Sequence, residues 1–145
     1  MAEYLLKDMI KKQHLEDKID VKSAGIFVNE NSVSPSPLAV DVLSVEYKID
    51  MSAHRPQKIN LDLIMESDLI LCMEESMSMY LKANLHNIDE DSIALVMTLK
   101  EYVGLEGNVS DPYGGNKQTY EDTAQELSRL MDLLVVKIIN SNNKI

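Results

Sequence analysis

Ala2, Leu5, Leu6, Met9 and Ile10 fall three and four residues apart, with Lys7, Asp8, Lys11 and Lys12 between them, the spacing of a helix with one buried face. No Ser, Thr, Asp or Asn stands ahead of it to accept the first free N–H groups, so the chain opens inside that helix. Ile19 to Ala24 alternates as a short strand does and runs out in Ser23-Ala24-Gly25. Loop residues 29–37, N-E-N-S-V-S-P-S-P, lead into a helix from about Leu38 to Tyr47 with Leu38, Val42 and Val45 facing inward.

After S-A-H-R-P-Q-K the pattern predicts a helical turn near Leu61 to Met65. Asp68-L-I-L-C-M is then an apolar run of the kind found in a strand buried on both faces. Glu75 to Leu85 has helical spacing, Ile93 to Met97 reads as a second buried strand and Thr98 to Val103 as a short helix. Beyond D-P-Y-G-G, Thr119 is placed to cap a long helix, with Asp122 three residues later. Its apolar stripe is Tyr120, Ala124, Leu127, Met131, Leu134 and Ile138, and the tail S-N-N-K-I is expected to fray. Short strands alternating with longer helices predict an α/β three-layer sandwich, a parallel sheet with helices on both faces, in one domain over residues 1–145.

Charge narrows the partners. With 24 acidic and 14 basic residues the net charge is -10, which repels a phosphate backbone or an anionic bilayer, so neither nucleic acid nor a membrane is an expected partner. The apolar runs Leu69 to Met73 and Leu133 to Val136 fall short of the roughly 20 residues that span a bilayer. Glu3, Lys7, Asp8, Lys11 and Lys12 break up the first fifteen residues, unlike a signal peptide. A lone cysteine, Cys72, makes no internal disulfide. A cytoplasmic location is expected.

In open parallel sheets ligands sit at the carboxyl ends of the strands. Those positions are Ser23-Ala24-Gly25, Met73-Glu74-Glu75 and the loop that holds Asp111. Each has an ordinary structural reading: small residues ending a strand, first-turn carboxylates at a helix N-terminus, and Asp-Pro turn chemistry. The functional reading makes Asp111 a general acid on a loop, with Tyr113 as an aromatic wall beside a substrate. Cys72, flanked by apolar residues, reads as a small buried hydrophobe with a raised thiol pKa. His14 and His86 look like surface residues and His54 like one that orients neighbouring loops. None has a second His or Cys at metal-ligand spacing, so neither a metal nor another cofactor is expected.

Taken in order, M-A-E-Y-L-L, V-K-S-A-G-I, M-S-A-H-R-P, S-D-L-I-L-C-M-E-E-S, T-L-K-E-Y-V-G and S-D-P-Y-G-G-N resemble the low-molecular-weight protein tyrosine phosphatases, including their bacterial protein-arginine-phosphatase branch. The likeness runs from Met1 to about Ile139. It implies that Asp111 protonates the leaving group and Tyr113 lines the pocket mouth, that Ser23 and His54 support the phosphate-binding loop, and that Glu74 lies near it. It also implies a phosphorylated protein or small aryl phosphate as substrate. Gly114 and Gly115 after a single aromatic resemble the arginine-phosphatase branch more than the tyrosine one.

One part of the family pattern has no counterpart here. Members carry C-x-x-x-x-C-R-[ST]-P, which supplies a thiolate, a cradle of amides and an arginine fork, whereas this chain has Cys72, Arg55 and Arg129 alone and no C-x5-R. The resemblance therefore implies an N-terminally truncated domain without its first, central strand, unable to act as a nucleophile. Without that strand, two rows of backbone groups lose their partners and the isolated chain is not expected to be stable as a monomer. Three outcomes are weighed: a phosphatase completed by preceding residues, a pseudophosphatase binding module completed by a partner's strand or a second copy, and collapse of the open slot with aggregation.

Overall fold

The structure, a computed structural model, describes residues 1–28 and 34–142. Helix α1, Ala2–Lys12, buries Leu5, Leu6 and Ile10 and is opened by Met1 without a side-chain cap, as its spacing requires. Helix α2, Pro37–Tyr47, begins with proline at its first turn, where the missing N–H is not needed. It buries Ala39, Val42 and Leu43, and ends at Lys48 in the left-handed conformation. Val45, expected inward, is 66% exposed. The inward face of α2 is set by Ala39, Val42 and Leu43, and Val45 lies beyond its edge. Most of the loop expected over residues 29–37 lies outside the described residues, as does the end of the C-terminal tail.

Strand β1, Leu69–Cys72, follows the short helix α3, Leu61–Glu66, which Asn60 caps by accepting the Leu63 N–H. Strand β2, Leu95–Thr98, pairs with β1 in parallel, Leu69 opposite Leu95 and Cys72 opposite Thr98. Between them runs helix α4, Glu75–Asn84, the right-sized crossover for a parallel pair. Thr98 ends β2 and caps helix α5, Leu99–Tyr102, by accepting the Glu101 N–H.

Helix α6, Lys117–Asn142, is the longest element and packs against α1, α2 and α5. Tyr120, Ala124, Leu127, Met131 and Leu134 lie in the main core with Leu5, Leu6, Val42 and Leu43, and Ile138 packs at its edge. Its cap is Asn116, not Thr119: Asn116 Oδ1 accepts from both the Thr119 N–H and the Thr119 hydroxyl. A second, smaller core under the sheet joins Ile64, Cys72, Leu81, Leu85 and Val96.

The alternating residues 19–24 form no strand. Gly25 alone bridges to Lys58, its N–H donating to Gln57 O and its carbonyl accepting from Ile59. Among the described residues β1 has β2 as its only neighbour, whereas parallel strands ordinarily lie inside a larger sheet. Ladder bonds need a partner at the right distance, and residues 19–24 have none.

Candidate active site

Two polar groups stand near the carboxyl ends of the extended segments. The first is built on α1. Glu3, in its first turn, accepts the Ser23 hydroxyl at 2.6 Å on Oε1 and the Lys7 ammonium at 2.7 Å on Oε2. The Glu3 side chain is only 9% exposed. Burial alone pushes its pKa up, but the hydrogen bonds from Lys7 and Ser23 and the charges of Lys7 and His54 outweigh that and hold the carboxyl below its ordinary value. Gln57 donates to Ser23 O at 2.9 Å, fixing the end of the 19–24 segment from the other side.

His54 completes this group. Its ring meets Tyr4 edge to face with centroids 5.5 Å apart. Burial lowers its pKa, with help from the amino terminus, Lys7 and Arg55, and Glu3 opposes them in part. Ser23 is thus hydrogen-bonded to Glu3, while His54 packs on Tyr4, the next residue, and is reached by Glu3 through charge alone. Residue-type reasoning had not assigned Glu3 or Gln57 to this group. Glu3 carried a usable signal, since Lys7 lies four residues on in the same helix.

The second group is the 108–116 loop. Asp111 is exposed, and its Oδ1 accepts the Tyr113 N–H at 3.0 Å, a turn that aspartate favours. Tyr113 is 84% exposed. Gly114 has φ +83, which a side chain rarely adopts. At Gly115 a Cβ would meet Thr119 at 2.8 Å, so a glycine lets the loop close against α6. Upstream, Val109 is buried and donates to Met73 O at 2.8 Å, and Asn108 Oδ1 accepts the Glu75 N–H at 2.8 Å. The loop is thus tied to the end of β1 and to the start of α4.

Glu74 opens α4 as its N-cap residue, without a side-chain hydrogen bond to the helix. Among the described residues neither Asp111 nor Glu74 hydrogen-bonds to the Glu3 network. Cys72 is buried within β1 and its thiol is pushed up by burial and by Glu101, with Lys82 opposing. It packs with Ile64, Leu81 and Val96 and is placed as a core residue, as its apolar flanks indicated. Among the described residues no group of three or more His, Cys, Asp or Glu is arranged to hold a metal ion, and no helix is long and apolar enough to cross a membrane.

What the arrangement offers chemically is an exposed carboxylate on a loop hydrogen-bonded to the end of β1, an exposed tyrosine two residues on, and polar groups gathered at the start of α1. Residues 1–144 match the model of the low molecular weight phosphotyrosine protein phosphatase family. A protein-arginine-phosphatase of Bacillus subtilis is 32% identical over 139 residues, covering 95% of this chain and 87% of that protein. A low molecular weight protein-tyrosine-phosphatase, PtpB, of Staphylococcus haemolyticus is 33% identical over 131 residues, covering 90% and 86%. Among solved structures, the low molecular weight protein tyrosine phosphatase from T. tengcongensis superposes with a TM-score of 0.83 at 37% identity, covering 94% of this chain and 88% of that one. A cysteine-to-serine mutant of the YwlE arginine phosphatase with a phosphorylated active site serine gives 0.82 at 32% identity, covering 94% and 85%.

Proposed function

Because the chain belongs to the low molecular weight phosphotyrosine protein phosphatase family, we propose that these 145 residues are the acid-bearing part of a protein phosphatase, whose thiolate segment is joined to them in cis or donated in trans. The carrying observation is the Asp111 loop: an exposed carboxylate with its Oδ1 held by Tyr113 N–H, pinned to the end of β1 through Val109 and Met73. The thiolate is assigned to another segment because Cys72, the sole cysteine, is buried in the sheet with a raised pKa. The phosphorylated active site serine of the YwlE mutant supports covalent transfer to that position.

In the proposed reaction the thiolate attacks phosphorus and an S–P bond forms. The P–O or P–N bond breaks, its electron pair leaves on the departing atom, and that atom takes the proton of the Asp111 carboxyl. Water then attacks phosphorus and gives a proton to the Asp111 carboxylate. The S–P pair returns to sulfur and orthophosphate departs. Ser23 and His54, through Glu3 and Tyr4, brace the ground on which the thiolate segment rests, with Glu74 nearby.

Phosphoarginine in a protein is the favoured substrate. Gly114 and Gly115 after the single aromatic Tyr113 resemble the arginine-phosphatase branch, whereas tyrosine phosphatases of the family often place two aromatics in this loop. The edge of β1 that no strand among the described residues pairs with favours a second reading, a binding module completed by a partner's strand. Phosphate release from phosphoarginine and phosphotyrosine peptides separates the readings. The 145 residues alone are expected to release none, and the same residues joined to a C-x5-R segment are expected to release it preferentially from phosphoarginine. Turnover by the 145 residues alone removes the need for an outside thiolate, and inertness of the joined form leaves the binding module.

A further inference from the structure

The Asp111 loop has an upstream clamp that the reaction scheme does not use. Helix α4 starts at Glu74 without a cap of its own, so its first turn carries unpaired N–H groups. One of them, Glu75 N–H, is taken up by Asn108 Oδ1 from 33 residues away at 2.8 Å. The next residue, Val109, is buried and donates to Met73 O. Consecutive loop residues thus hold the end of β1 and the start of α4 at once. Gly107, at φ +98, is the turn that leads into Asn108. From Val109 only Ser110 intervenes before Asp111.

We propose that Asn108 is a positioning residue for the general acid: by capping α4 it fixes where Asp111 stands relative to the end of β1. The role rests on the reading of Asp111 as the acid. A side-chain acceptor of this length is what the geometry requires. Aspartate keeps it and adds a charge that suits a helix N-terminus, whereas alanine removes it.

The test is leaving-group dependence in the catalytically complete phosphatase, because a misplaced acid matters most when the departing group is a poor one. Asn108→Ala is expected to lower kcat/KM, which reports the step in which the leaving group departs, roughly tenfold on phenyl phosphate but only about twofold on 4-nitrophenyl phosphate. Asn108→Asp is expected to restore both. In the same enzymes the Glu75 and Tyr113 amides are expected to exchange faster with solvent in Asn108→Ala and normally in Asn108→Asp. Equal losses on the two substrates, or no recovery with aspartate, overturn the role for Asn108 while a steep Asp111→Asn profile leaves the acid in place. A loss in Asp111→Asn that is the same for both leaving groups overturns the acid and this role with it.

Discussion

Ser23 and Glu3, twenty residues apart, are joined by a 2.6 Å hydrogen bond in which the hydroxyl donates to Oε1. With the Glu3 side chain nearly buried and Lys7 on its other oxygen, this bond ties the 19–24 segment to α1 where no strand partner does so. Ser23→Ala is expected to destabilise the fold by about 1.5 kcal/mol, the range for hydrogen bonds to a charged group. Ser23→Thr should lose much less. Urea unfolding midpoints at neutral pH check both.

Acid is expected to unpick the same network in two stages. His54 has a depressed pKa in the folded protein, so below its ordinary value the unfolded chain takes up more protons and stability falls as pH drops. The Glu3 carboxyl is depressed too, so its contribution is present above the ordinary carboxylate value and is lost as pH falls through the lower folded one. Unfolding free energy against pH should decline from about pH 6.5 downward and steepen below about pH 4.5, the ordinary values of the two groups. His54→Asn should remove the upper stage and weaken the lower one, because the His54 charge helps to hold the Glu3 carboxyl down.

In the catalytically complete phosphatase, Asp111→Asn is expected to lower kcat by about 100-fold, the ordinary contribution of a placed general acid, and to flatten the pH profile. Tyr113→Ala should act on KM more than on kcat, since an exposed ring contributes contact rather than a proton. Steady-state kinetics over pH separate the two.

Asn116→Ala is expected to cost about 1 kcal/mol by uncapping α6, visible as a lower melting temperature. Because Asn116 Oδ1 takes both donors of Thr119, Thr119→Ala removes one of them and should cost less.

Leu43→Ala is expected to cost 2–5 kcal/mol, about the usual range for a leucine wholly within a core. Val45→Ala, two residues on in the same helix but exposed, should change stability by less than about 0.5 kcal/mol. Chemical denaturation of the pair checks which face of α2 is inward.

Periodicity was a good guide where one face of an element meets one core. α1 and α6 carry long stripes at helical spacing, and Leu5, Ile10, Leu127 and Leu134 lie where that spacing puts them. The α/β architecture followed from the alternation of short apolar runs with helices, and the solved relatives share it. Residues 19–24 show the limit: alternation marks a segment fit to be a strand, but a ladder also needs a neighbour, and that is a property of other parts of the chain. Val45 was misread because α2 is apolar nearly all round, so spacing did not select a face. At the candidate site, Ser23 and Asp111 stand out in the sequence as positions beyond expected strands, although residues 19–24 form none. Gln57, Asn108 and the bond between Glu3 and Ser23 do not, because these partners lie 20 to 34 residues apart and a single sequence does not record such pairings; only the Lys7 partner of Glu3 is legible, four residues on.

Helix α6 lies far along the sequence from α1, yet the main core closes between the two. Closing so long a loop is an entropic step that must precede the contacts that reward it. During synthesis α1 and α2 therefore leave the ribosome with their apolar faces uncovered and wait for residues 117–142. Chaperone dependence and the yield of soluble product should respond more to substitutions along α6 than to equal losses of stability beneath the sheet.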